Sequence, residues 1–198
     1  SVELASKICS KMKRKSPVNL IYEMFLDEKG EKISKSVGNG ISIEEWLRYG
    51  SEQSISLFMF QKPKSAKRLF FDVIPKSIDE YYSFLKKYHN QEKPEIYDNP
   101  VWHIHKGTPP KFASEINFNS LLNLVSICNT TDKNVIWGFL NEYDSSINLK
   151  NNPEFDELII YAINYYKDFI LPKKKYKKID IQSKPIFKDI YDLLNNID

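Results

Sequence analysis

Ten consecutive residues, Glu31 to Gly40 (EKISKSVGNG), hold the densest set of groups in this chain that could do chemistry. Lys32 and Lys35 stand three positions apart, Ser34 lies between them and Ser36 follows at once. Ammonium groups at that spacing on a loop can reach different oxygens of one polyphosphate, with serine hydroxyls and loop N–H groups as neutral donors. At an effective dielectric of about 20, an ammonium about 4 Å from a unit phosphate charge gains roughly 4 kcal/mol before desolvation is subtracted. The pattern can therefore grip a triphosphate without a metal cage. A K-x-x-K match in a lysine-rich chain is, taken alone, a solvated turn, so the flanking chain has to decide between the two.

The loop lies between elements suited to hold it. Asn19 to Leu26 (NLIYEMFL) is β-branched and aromatic, which predicts a strand, and Asp27-Glu28-Lys29-Gly30 predicts a tight turn with glycine at positive φ. Beyond Val37 to Gly40, the run Ser42-Ile43-Glu44-Glu45 fits a capping box that opens a helix to about Tyr49. Gly50-Ser51 breaks that helix, and Glu52 to Gln61 resumes it at an angle. Pro63 and Pro75 bracket the stretch KPKSAKRLFFDVIP, after which Ser77-Ile78-Asp79-Glu80 predicts a second capping box and a helix to about His89. Pro94, Pro100, Pro109 and Pro110 then mark irregular chain, and the main boundary is placed there.

From Phe118 onward each periodic segment is helical: Leu121 to Cys128, Asp132 to Tyr143, Glu154 to Leu171 and Pro185 to Ile197. Their short polar connectors predict antiparallel neighbours, and Val2 to Met12 predicts a further short amphipathic helix at the start. The fold class expected is mostly α, with α+β character at the N-terminal part.

The composition of the 198 residues supports a folded domain: 41% hydrophobic, 14% aromatic and 28% charged, too apolar for disorder and too evenly charged for a membrane span. No membrane association is expected, and the chain reads as cytoplasmic. A net charge of +3 means that any polyanion must be held by local patches. The two cysteines, Cys9 and Cys128, lack metal-ligand spacing and read as small buried hydrophobes.

Lys62, Lys64, Lys67 and Arg68 form a basic patch that reads equally as a contact with an RNA backbone or as solvated surface. Lys173, Lys174, Lys175, Lys177 and Lys178 read as a solvated connector. His103 and His105 would share a strand face, yet no nearby carboxylate or cysteine completes a shell, so no metal site is assigned. Trp102 and Trp137 read as core.

The run Lys32-Ile33-Ser34-Lys35-Ser36 resembles the KMSKS signature of class I aminoacyl-tRNA synthetases at four of five positions, with Ile33 in place of methionine. The longer strings YEMFLDEKGEKISKSVGNGISIEEW (22 to 46), LFMFQKPKSAKRLFFDVIP (57 to 75), NPVWHIHKG (99 to 107) and LLNLVSICN (121 to 129) resemble class I lysyl-tRNA synthetase of the archaeal type. That resemblance implies the end of a Rossmann catalytic region with a stem-contact fold over 1–108, then part of an α-helical anticodon cage over 109–198. It implies ATP-dependent activation of lysine and transfer to lysine tRNA, with magnesium arriving through ATP. Lys32 and Lys35 would meet charge on the β and γ phosphates, and Ile33, Ser34 and Ser36 would complete the ATP loop. No HIGH-like string precedes Lys32, so the chain is expected to be an internal piece of a longer enzyme, with the lysine pocket elsewhere and no activity alone. The rival reading is a non-catalytic helical RNA-binding or interaction protein in which KISKS is incidental.

Overall fold

Apolar spacing organises the molecule around two long helices. In α4 (Val73–His89) the buried Ile74, Ile78, Tyr81 and Leu85 recur at helical spacing on one face, and α8 (Glu154–Tyr165) buries Phe155, Leu158, Ile159, Ala162 and Ile163. This computed structural model describes residues 2–111, 116–145, 147–176 and 183–195. The remaining helices are α1 (Val2–Lys11), α2 (Ile43–Leu47), α3 (Glu52–Phe60), α5 (Pro100–Ile104), α6 (Phe118–Cys128), α7 (Lys133–Tyr143) and α9 (Lys184–Asn195). The only sheet among the described residues pairs β1 (Phe25–Leu26) in parallel with β2 (Lys67–Arg68), in register Phe25 with Lys67 and Leu26 with Arg68. The fold is mostly α, with its β structure confined to the N-terminal part, as the sequence leads one to expect.

The main core crosses residue 108. Trp46, Tyr49, Leu69, Ile74 and Ile78 pack in one cluster with Phe118, Leu121, Val125, Ile136, Phe155, Ile159 and Tyr166. Trp46 has no exposed surface, and its indole N–H donates to Ser54 Oγ at 3.0 Å. Truncating so large a buried side chain to alanine typically costs about 3–5 kcal/mol. A smaller cluster, Leu57, Tyr81, Leu85 and Val101, sits between α3, α4 and α5. Polar bonds also cross 108: Asp168 accepts from Arg48 Nε at 2.9 Å and from the Tyr49 hydroxyl at 2.8 Å, and Asp72 accepts from the Tyr165 hydroxyl at 3.0 Å. The Arg48 guanidinium beside Asp168 holds that carboxyl below the usual carboxylate range.

Several local expectations are corrected. The strand is two residues long because only Phe25 and Leu26 find a ladder partner, whereas Val18, Leu20, Ile21 and Tyr22 stay exposed. Helix α4 begins before Pro75, in whose first turn a proline removes no helical bond. Ser77 is consequently a buried mid-helix residue whose hydroxyl donates to the Val73 carbonyl at 2.8 Å, not a cap. The first capping box does form: Glu45 N–H donates to Ser42 Oγ at 3.1 Å, and Ser42 N–H donates to Glu45 Oε2 at 2.8 Å. Pro153 is the N-cap of α8, and α8 runs on into a π turn over Tyr166–Ile170. His103 and His105 belong to α5 and its C-cap, because Asn99 and Pro100 start a helix there.

Candidate nucleotide-binding loop

Asp27 begins the loop by satisfying the turn that follows it. Its Oδ1 accepts from Lys29 N–H at 3.0 Å and Glu31 N–H at 2.8 Å, and Gly30 takes φ +87° as the turn closes. Asp27 N–H donates to the Glu31 carbonyl at 2.8 Å and Ile33 N–H to the Phe25 carbonyl at 3.1 Å, so Leu26 and Lys32 face each other in an antiparallel bridge. Strand β1 thus lies between β2 on one edge and the start of the KISKS run on the other.

The far arm of the loop returns to the same carboxylate. Asn39 Nδ2 donates to Asp27 Oδ2 at 2.8 Å, while Asn39 Oδ1 accepts from Ser34 N–H at 3.0 Å. The amide also lies 3.3 Å from the Lys32 carbonyl oxygen. Asp27 is nearly buried, 9% exposed, and the Asn39 amide, followed by the Glu31 N–H, pulls its carboxyl below the ordinary carboxylate range. Between the two arms, Ser34 carbonyl accepts from Val37 and Gly38 N–H at 3.2 and 3.0 Å, and the Ser34 and Ser36 hydroxyls share a 2.8 Å hydrogen bond. Ile33 is half-buried against the core and packs on Gly40, where a Cβ would meet Ile33 Cγ2 at 2.6 Å. Glycine at 40 is therefore a requirement of close approach.

Lys32 and Lys35 are exposed, and neither ammonium is held in an ion pair among the described residues. The backbone of the loop is tied down while its cations stay available. Beside it lies a groove of about 400 Å³ whose walls include Asp27, Asn39, Gly40, Phe70 and Phe71.

The second basic cluster divides. Lys62 and Lys64 are exposed on a turn in which Ser65 N–H donates to the Lys62 carbonyl at 3.0 Å, and Lys62 takes φ +43°. Arg68 is exposed too, its guanidinium beside the Gly30 turn. Lys67 faces inward: its Nζ donates to the carbonyls of Phe58 and, at 2.8 Å, Gln61, with Met59 at 3.3 Å, and lies 4.9 Å from the Phe58 ring centroid. It satisfies the C-terminal carbonyls of α3, where a cation is favoured, although burial lowers its pKa.

Lys174 is likewise committed, donating to the Ser126 carbonyl at 2.5 Å near the end of α6, so it is not the solvated connector residue expected. Lys177 and Lys178 lie outside the described residues. His103 Nε2 pairs with the Tyr97 carbonyl at 2.8 Å and His105 Nε2 with the Tyr81 hydroxyl at 2.8 Å, so each has its own partner. No group of three or more metal-ligating side chains occurs among the described residues. No described helix is long and apolar enough to cross a membrane.

Asp27 and Asn39 are the residues that sequence reasoning missed as parts of the site. Asp27 was visible only as the first residue of a D-x-x-G turn, and Asn39 only as loop composition.

Comparison with known proteins bears on the same region. The family profile described as tRNA synthetases class I (K) matches residues 1–108. Lysine–tRNA ligases of Rickettsia peacockii (strain Rustic) and Rickettsia africae (strain ESF-5) are each 49% identical to this sequence across 100% of it and 38% of their own length. The lysine–tRNA ligase of Rickettsia bellii (strain RML369-C) is 48% identical over 98% of this chain and 38% of its own. The chain spans about 38% of the length of these curated relatives.

Proposed function

This chain belongs to the class I (K) tRNA synthetases, and on that premise we propose that it supplies the ATP-phosphate loop and a tRNA-binding helical region of a lysine–tRNA ligase of the archaeal type. The reaction is activation of lysine by ATP to lysyl-adenylate with release of pyrophosphate, followed by transfer of lysine to the 3′ end of its tRNA. ATP enters as its magnesium complex, a substrate of the reaction. Lysine, ATP and lysine tRNA are its partners, and the work is cytoplasmic.

Within this reading, Lys32 and Lys35 stabilise negative charge developing on the β and γ phosphates as the α phosphate is attacked, with Ser34 and Ser36 as neutral donors and Ile33 anchoring the loop on Gly40. Residues 1–108 carry this loop and the stem-contact surface, where Lys62, Lys64 and Arg68 meet the tRNA backbone. Residues 109–198 form part of the anticodon cage. The observation that carries the reading is the pair of exposed ammonium groups, in no ion pair among the described residues, on a loop whose backbone is anchored at both ends, in a chain that matches lysine–tRNA ligases along its whole length.

The test is lysine-dependent ATP–pyrophosphate exchange by the full-length polypeptide carrying this sequence. Lys32→Ala and Lys35→Ala should each slow exchange by about 10²-fold with little change in thermal stability, the scale of losing a donor to transition-state charge. Exchange at the wild-type rate in Lys35→Ala would refute the assignment.

A further inference from the structure

Among the described residues the loop lysines have no hydrogen bond or ion pair that aims their ammonium groups, so their direction must come from the backbone that carries them. That backbone is closed by one side-chain pair. Asp27, before the KISKS run, accepts the turn N–H groups of Lys29 and Glu31 on Oδ1 and the Asn39 amide on Oδ2. Asn39, after the run, accepts the N–H of Ser34 on its own oxygen. Entry, middle and exit of the loop therefore converge on two facing side chains.

We propose that Asp27 and Asn39 form a positioning latch that holds the KISKS loop in the conformation from which Lys32 and Lys35 reach the phosphates. This inference rests on the nucleotide-loop reading above and adds two residues to it. Neither latch residue touches the nucleotide; both act through the lysines.

The polarity of the pair makes the proposal testable, because each single exchange leaves like groups facing each other. With Asn39→Asp, two carboxylates meet at a separation where Asp27 Oδ2 now has a donor. With Asp27→Asn, the new amide can satisfy Asn39 only if Asn39 turns over, and its NH₂ then confronts the Ser34 N–H. The reciprocal double variant Asp27→Asn/Asn39→Asp restores every bond of the pair except the 3.3 Å one from the position-39 amide to the Lys32 carbonyl. Its amide oxygen at position 27 accepts from the turn, its amide NH₂ there donates to the carboxylate placed at position 39, and that carboxylate accepts from Ser34 N–H.

Exchange kinetics and hydrogen exchange of the 27–40 amides should be measured on the full-length polypeptide for both singles and the double. We expect each single to lower kcat of ATP–pyrophosphate exchange by about tenfold or more, with a smaller change in KM for lysine, and the double to recover to within about threefold of wild type, the non-additivity of a directly coupled pair. Amide exchange at Glu31 and Ser34 should quicken in the singles and slow again in the double. Singles within twofold of wild type, or a double no better than the worse single, would overturn the latch. If those results came with Lys35→Ala still inactive, the nucleotide-loop reading would stand without the latch; if Lys35→Ala were fully active, that reading itself would fail.

Discussion

The loop at residues 31–40 and the segment at residues 58–68 contain the same raw material, lysines beside apolar residues, and use it in opposite ways. In the loop, neutral groups make the structural bonds: Asn39 and backbone amides close around the Asp27 carboxylate, Ser34 N–H bonds to Asn39, and the ammonium groups of Lys32 and Lys35 enter no ion pair among the described residues. In the segment, Lys67 is itself the structural element, its ammonium set among the last carbonyls of α3 and over the Phe58 ring. A cation is free for a ligand only where something else satisfies the backbone. What decides this is whether a lysine's side chain folds back onto the open carbonyls of a helix end, as Lys67 does and the exposed Lys62 does not, a tertiary fact that local composition does not carry.

The contrast is sharpened most by exchanging matched residues. Lys35→Ala should abolish most activity while leaving the melting curve in place. Lys67→Met should do the reverse, costing about 1.5–3 kcal/mol, as expected for loss of several hydrogen bonds from a charged donor. In a domain of this size each kcal/mol lowers the midpoint by roughly 2–4 °C, so a thermal melt reads it directly. Equal midpoints for Lys67→Met and wild type would remove the contrast.

A smaller effect distinguishes exposed lysines from buried ones in binding. Replacing Lys62 and Lys64 together by alanine should reduce the slope of log affinity for lysine tRNA against log salt by about 1 for each phosphate that the two ammonium groups neutralise. An unchanged slope would return both to plain surface.

The smallest concerns a basic group committed to an internal bond at another place. Burial lowers the pKa of His105, which shares its Nε2 with the Tyr81 hydroxyl, itself pushed up to about 12 by burial. A histidine whose folded pKa lies below its unfolded value contributes stability above the unfolded pKa, and that contribution is lost as pH falls through the folded one. Stability should therefore decline as pH drops below about 6.5, and His105→Gln should remove that part of the decline. The same acid slope in both proteins would place the titration elsewhere.

How much of this was legible in the sequence follows a physical division. Local chemistry was readable: the Ser42 and Glu45 cap, the Gly30 turn and the break at Gly50-Ser51 all depend on residues within four positions of one another. The KISKS run is recognisable from its pattern alone. What escaped depends on partners far along the chain. The Ser77 cap failed because α4 starts five residues earlier, with Asp72 as its N-cap, just after Leu69 and Phe71 pack into the core and where Asp72 meets Tyr165. Asn39 escaped because its role is set by Asp27, twelve positions away, and an asparagine between two glycines otherwise looks like filler.

One consequence follows from the way the interior ignores residue 108. A chimaera that joined residues 1–108 to the helical region of a different synthetase would confront Trp46, Tyr49 and Ile78 with foreign side chains, and leave Asp72 without the tyrosine that now donates to it. Transplanting that region would therefore require carrying the lining of α2 and α4 along with it.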